Sequence, residues 1–212
     1  MSEHRTPSLR GRRHKERVKT EKDQIREILD RNYLGHLSVV DQATEFPFTI
    51  PIAYSLGDDA LYLHGAAANH ALSTAVGRPC SFVVTEVSEF VLADTMFSHS
   101  INYASVILYG IGKEITDLEL KDFLLVNLVD RLYPGRSKTL PPNTRSELLQ
   151  TKVISLELHN ASAKVRNDPL DLAIKDGRWV GTVPIQTLFN VADTELRPKL
   201  GRSITKKTEA VS

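Results

Sequence analysis

The chain has 212 residues, of which 41% are hydrophobic and 25% charged, and its formal net charge is +1. That composition is ordinary for one globular domain with a full core, and the near-neutral charge excludes a chain-wide polyanion binder. A single cysteine, Cys80, excludes an internal disulfide framework and any four-cysteine zinc site.

No apolar run approaches the roughly 20 residues that span a bilayer. The basic start has no apolar segment behind it, so it does not read as a secretory signal. A soluble, cytoplasmic protein without membrane contact is the expectation. Composition divides the chain into three zones. Residues 1–20 read as a flexible basic arm, 21–190 as the folded body, and 191–212 as a tail that loses apolar periodicity.

In chain order, Ile25, Ile28 and Leu29 share one face of a helix predicted over 21–32. Strands follow at 33–40 and 46–54. Pro47 and Pro51 inside the second mark it as an edge, a bulge or a ligand-facing segment. Gly57, Asp58 and Asp59 form a turn, and 60–64 returns as the other half of a hairpin. A short helix is predicted over 66–76, strands over 80–86 and 89–93, and a long β-branched run over 101–115. Leu118, Phe123, Leu125 and Leu128 define a helix over 117–132, with acids early and Arg131 late. One more helical turn at 146–149 precedes a strand at 151–158 and short extended pieces at 162–166 and 179–184. About seven strands and three or four helices, with strands neighbouring each other in sequence, predict a mainly β fold: an antiparallel barrel or sandwich with peripheral helices.

Several chemistries are missing. Gly110 and Gly112 begin like a dinucleotide fingerprint, but no third glycine and no helix follow, so a strand bend is the better reading. No Walker loop, nucleophile elbow or zincin helix is present. The seven histidines, at 4, 14, 36, 64, 70, 99 and 159, show no metal-ligand spacing. His36 reads as a core or cleft residue, His99 as part of a polar turn, and His4, His14 and His159 as solvated. Cys80, just before an apolar strand, reads as buried and inert.

Three constellations remain. In the first, FPFTIPIAY (46–54) is followed by LYLHGAAANH (61–70), where small residues lead from a strand into a helix and let a ligand approach the backbone. A plain β-to-α turn with a surface histidine is the alternative. In the second, polar residues in FSHSINYASVILYG (97–110) precede a hydrophobic strand and can hydrogen-bond a planar ligand; a Ser/Asn turn is the alternative. In the third, Lys164 and Arg166 can clamp a phosphate, and Trp179, the one tryptophan, can stack on an aromatic ring. An exposed turn with a core tryptophan is the alternative there.

Taken in order, these segments, with TKVISLELHNASAKVRNDP (151–169) and WVGTVP (179–184), resemble the flavin-nucleotide-binding proteins related to pyridoxamine 5′-phosphate oxidase. The 5-nitroimidazole-resistance proteins look like the nearest branch. The resemblance implies an FMN-binding split β-barrel, a homodimer, and a flavin at the subunit interface. Carried onto this chain, Thr49, Ile50 and Pro51 would lie along the isoalloxazine ring, their backbone groups meeting its pyrimidine side. His64 and Gly65 would end the next strand near the ribityl phosphate. Asn69 and His70 stand where relatives often carry an Arg or Lys for that phosphate. Tyr103 and Ser105 would approach the ring from the long strand. Ser162, Lys164 and Arg166 would come from near the partner subunit's cleft, and Trp179 would close the site.

The function so implied is a flavin-dependent oxidoreductase that reduces a small planar acceptor, nitroaromatic- or quinone-like. It is not the true oxidase, because the C-terminal His/Arg arrangement for a vitamin substrate is missing. FAD could replace FMN. The alternatives are a non-enzymatic flavin carrier or sensor, or a haem-binding split-barrel protein with His64, His70 or His99 as axial ligand. Nucleic-acid binding through the arm is the weakest reading, since its cations are not interleaved with aromatic residues for base stacking.

Overall fold

The computed structural model describes residues 17–168 and 170–186. The expected arm, apart from residues 17–20, and the expected tail lie outside the described residues.

Alternating burial along successive strands builds a curled antiparallel sheet. A two-residue strand β1 (Val18–Lys19) and helix α1 (Lys22–Arg31) come first, then β2 (Leu34–Val40), β3 (Pro47–Leu56) and β4 (Ala60–Ala66). Helix α2 (His70–Ala75) leads into β5 (Pro79–Leu92), β6 (Ser100–Ile111) and the short β7 (Lys113–Glu114). Helices α3 (Leu118–Leu132) and α4 (Arg145–Gln150) precede β8 (Thr151–Glu157), β9 (Ala161–Arg166), β10 (Ala173–Lys175) and β11 (Arg178–Pro184). The strand order is β1-β9-β6-β5-β2-β3-β4-β8-β7, with β11 joining β5 and β10 joining β11. The two arms of this path, β8 and β9, are joined by the single turn Leu158–Asn160. The mainly β, antiparallel barrel expected from the sequence is therefore what forms.

Inward positions supply the core. Leu37, Tyr54, Leu61, Leu63, Phe82, Val84, Leu108, Ile154 and Leu156 are almost wholly buried, each contributing roughly 1.5–3 kcal/mol of burial free energy. Helix α1 adds Ile25, Ile28 and Leu29, as its periodicity predicts. The helix starts are set by local chemistry. The Asn69 side chain accepts from Leu72 N, Asp117 accepts from Leu120 N, and Thr144 with Glu147 forms a capping box.

Some expected boundaries move. The segments at 80–86 and 89–93 are one strand, β5, carrying a bulge between Val87 and Glu89 where it pairs with β6. The helix expected from 66 begins only at His70, because β4 continues to Ala66 on its ladder with β8. The Gly110/Gly112 pair is a strand bend. A Cβ on Gly112 would stand 2.7 Å from the Ala75 carbonyl oxygen, so the close passage of α2 requires glycine there.

Candidate functional site

Two ladders come apart, and each parting leaves usable backbone. Strand β3 pairs with β4 only through Tyr54, Ser55 and Leu56, while residues 47–53 pair with β2 on their other side. Among the described residues no strand covers the outer edge of 47–53. Pro47 and Pro51 suit that edge, since neither can donate to a ladder. The second parting is between β2 and β5, which pair only at His36–Ser38 and Ser81–Val83. Beyond them Val39 and Val40 diverge from Pro79 and Cys80, and a cleft of about 650 Å³ opens. That volume falls in the range of small-molecule sites.

The outer face of the sheet is ordered by register. One row runs Thr49–Ser38–Ser81–Tyr109, and the next runs Pro51–His36–Val83–Ile107–Ser162. A third aligns Thr85, Ser105 and Lys164, and a fourth Val87, Tyr103 and Arg166. The Ser38 and Thr49 hydroxyls are 2.8 Å apart. The cleft lies on this face. Val40, Pro47, Pro79 and Ile111 give it apolar walls, with the polar tips of Ser81, Tyr109, Lys113, Glu157, His159 and Asn160 converging on it.

Seven expected site residues, Thr49, Pro51, Tyr103, Ser105, Ser162, Lys164 and Arg166, thus share one face. Within a single chain they do not surround one point. From β3 to β9 is four strand steps, about 19 Å. Ile50 turns inward against the core, leaving only its backbone at the open edge. Arg166 Nε donates to Asp168 at 2.9 Å, and Arg17 meets the same carboxylate at 2.8 Å.

The expected phosphate group of residues is dispersed. His64 points away from the core under α3, with Ser55, Tyr62, Leu124, Leu128 and Val153 around it. Its Nδ1 is buried without a hydrogen-bond partner, and burial holds its pKa below the ordinary value of 6.5. Gly65 packs against α2, where a Cβ would stand 3.0 Å from Leu72 Cδ1. Asn69 is committed to its capping bond. His70 stacks on Phe48 at 5.3 Å and places Nε2 2.7 Å from Asp41 Oδ2. Hydrogen bonds from the Thr44 backbone and from the His70 and Thr44 side chains hold the Asp41 carboxyl down to about 2. Trp179 lies on β11, half-exposed opposite Ile174. It sits beyond Leu92 and hence on the order of 40 Å from Ser81 by strand rise, too far to close its own chain's cleft.

Sequence reasoning missed Ser38, Ser81, Tyr109, Glu157 and His159. Their signal is register, since Ser38, Ser81 and Tyr109 meet only across ladders. His159, expected to be solvated, is exposed but lines the cleft, its Nδ1 3.1 Å from Glu157 Oε2. Lys113 pairs with the other Glu157 oxygen and is the main cause of that carboxyl's lowered pKa. Cys80 is buried as expected, and desolvation pushes its thiol up to about 11. No group of three or more His, Cys, Asp or Glu among the described residues could hold a metal ion by itself. No helix among them is long and apolar enough to cross a membrane.

Comparison with known proteins places this geometry. A family profile described as pyridoxamine 5′-phosphate oxidase matches residues 21–165. No curated protein matches the sequence. Among solved structures, the flavocytochrome Anf3 from Azotobacter vinelandii is 28% identical, with a TM-score of 0.78, over 88% of this chain and 88% of that one. The FAD and haem binding protein from Mycobacterium smegmatis is 29% identical, with a TM-score of 0.76, over 84% of this chain and 88% of that one. A protein from Bacteroides thetaiotaomicron ascribed to 5-nitroimidazole antibiotic resistance is 18% identical, with a TM-score of 0.57, over 70% of this chain and 86% of that one. The likeness to the nitroimidazole-resistance branch is thus the weaker one, and it extends to the fold alone.

Proposed function

The chain belongs to the pyridoxamine 5′-phosphate oxidase family, and from that premise we propose that it is a flavin-binding redox protein of flavocytochrome type, holding FAD and a haem. The observation that carries this reading is the likeness, at 28% and 29% identity along most of the chain, to two proteins whose names include a flavocytochrome and an FAD and haem binder. FAD is accordingly preferred to FMN.

The chain's own features fit a flavin. The open edge of residues 47–53 offers unpaired backbone groups to the hydrogen-bonding side of an isoalloxazine ring. Thr49 stands beside that edge, its hydroxyl oriented by Ser38. The haem also has a fitting feature, a cleft with apolar walls and one imidazole at its rim. A bound flavin supplies hydride and single-electron transfer, and the protein supplies orientation and electrostatics.

The functional unit in this reading is a homodimer. Lys164, Arg166 and Trp179 are too far from the β3 edge to serve it in the same chain, so they would reach the flavin of the second copy. An exposed apolar row, Val183–Phe90–Ile101, crosses β11, β5 and β6 beside Trp179 and gives a second chain something to bury.

Reduction of a nitroaromatic or quinone-like acceptor is the second reading. It rests on the sequence resemblance and stands behind the first, because the likeness at 18% identity extends to the fold alone.

Chromatography of the pigment released on denaturation tests the proposal. FAD, with iron and haem in the same fraction, is the expected result. Flavin without haem would favour the second reading, and no flavin at all would overturn both.

A further inference from the structure

We propose that His159 is the axial ligand of the haem, with its imidazole set in place by Glu157. The assignment rests on the haem component of the proposed function. Among the described histidines, His159 alone lines the 650 Å³ cleft. His64 faces a cavity of only about 10 Å³, at the lower limit for one water. His70 has one ring face covered by Phe48 and its Nε2 on Asp41. His99 is held in an exposed turn by its Nδ1 contact to the Thr95 carbonyl. His36 is on the outer face but does not line the cleft.

The donor set at His159 suits iron. Nδ1 lies 3.1 Å from Glu157 Oε2, and Lys113 anchors the other oxygen of that carboxylate. With its proton on Nδ1, the ring carries its lone pair on Nε2, which accepts from Asn160 Nδ2 at 2.9 Å. A carboxylate behind an imidazole fixes its tautomer and raises its basicity, the arrangement that metal-ligating histidines use. Coordination would use the Nε2 lone pair in place of the Asn160 amide contact, and the proton would stay on Nδ1, facing Glu157. No electron is transferred and no proton is released. The apolar walls at Val40, Pro47, Pro79 and Ile111 would face the porphyrin.

The test is haem titration of the full-length protein, read by the Soret band, the iron–histidine stretch and the midpoint potential. His159→Ala should lose the histidine-ligated spectrum, and free imidazole should restore it. Glu157→Gln should keep the ligand but weaken haem binding about 10- to 100-fold and raise the potential. His70→Ala and His36→Ala should leave the spectrum as it is. If the wild type binds haem and His159→Ala leaves its spectrum unchanged, the ligand assignment is wrong while the flavocytochrome reading stands. If Glu157→Gln changes neither affinity nor potential, the positioning role is wrong. If the wild type binds no haem, both the assignment and the haem part of the proposed function fail.

Discussion

The ring of Phe82 fills the space that a side chain at Gly35 would need: a Cβ there would stand 2.1 Å from Phe82 Cζ. Phe82 pairs with Leu37, at the centre of the three-residue ladder between β2 and β5. Its flanking partners Ser38 and Ser81 line the cleft. The core contact beneath the sheet therefore sets where the two strands meet and where they part.

Gly35→Ala should act as an overpacking substitution. Phe82 is almost wholly buried and has little room to retreat. A loss of about 1–3 kcal/mol in denaturant unfolding is expected. The double variant with Phe82→Leu should recover part of it, because the obstructing ring is gone. A Gly35→Ala protein as stable as wild type would show that the ring can move aside.

Helix α1 ends on a clamp from β3 and α3. Tyr54 Oη donates to the Leu29 carbonyl at 2.7 Å, and Arg131 donates to the carbonyls of Leu29 and Asn32. The Arg131 guanidinium also lies 5.0 Å from the centre of the Tyr54 ring. Tyr54→Phe should cost about 0.5–1.5 kcal/mol, since Arg131 still reaches Leu29. Arg131→Met should cost more, about 1–3 kcal/mol, because the Asn32 carbonyl loses its donor. Thermal denaturation of both variants checks the order, and the reverse order would contradict the clamp.

Acid should weaken the fold in two separate steps. His64 has its pKa lowered by burial, so the unfolded chain binds its proton first. Its contribution is complete above the unfolded value of about 6.5 and falls away as the pH drops below it. Asp41 is held down to about 2 from 3.8, so its contribution is lost only between those values. His64→Leu should flatten the upper step, and Asp41→Asn should shrink the lower one, to which Glu157, Asp59, Asp130 and Glu147 also contribute. Stability curves against pH for the two variants separate them. An upper step that survives in His64→Leu would exclude His64 as its source.

Much of the barrel was legible because its strands alternate locally. The periodicity at Ile25, Ile28 and Leu29 placed α1, and the alternation at 162, 164 and 166 put three expected site residues on one face. Strand β5 read as two pieces because Ser88, the bulged residue, interrupts the alternation there. The burial of His64 was illegible for a different reason. Its covering comes from Leu124 and Leu128, some sixty positions away, and no local pattern announces that. His159 likewise gains its meaning from the cleft and from Lys113 on β7, which pairs with β8 at Ser155.

Trp179 gives a direct test of the two-chain site. It is 47% exposed in the single chain, so Trp179→Ala should cost roughly 1–3 kcal/mol of apolar burial. The proposed dimer also makes it a wall of the neighbouring flavin, so the variant should release flavin faster on dilution. Light scattering should give twice the chain mass for wild type. Unchanged flavin retention in Trp179→Ala would remove this residue from the site.

The most direct measurement is the absorption spectrum of the purified protein, first oxidised and then reduced with dithionite. Flavin bands that bleach together with a Soret band that shifts are expected of a protein carrying both groups. A protein with neither band, which also fails to take up added FAD and haem, would contradict the proposed function outright.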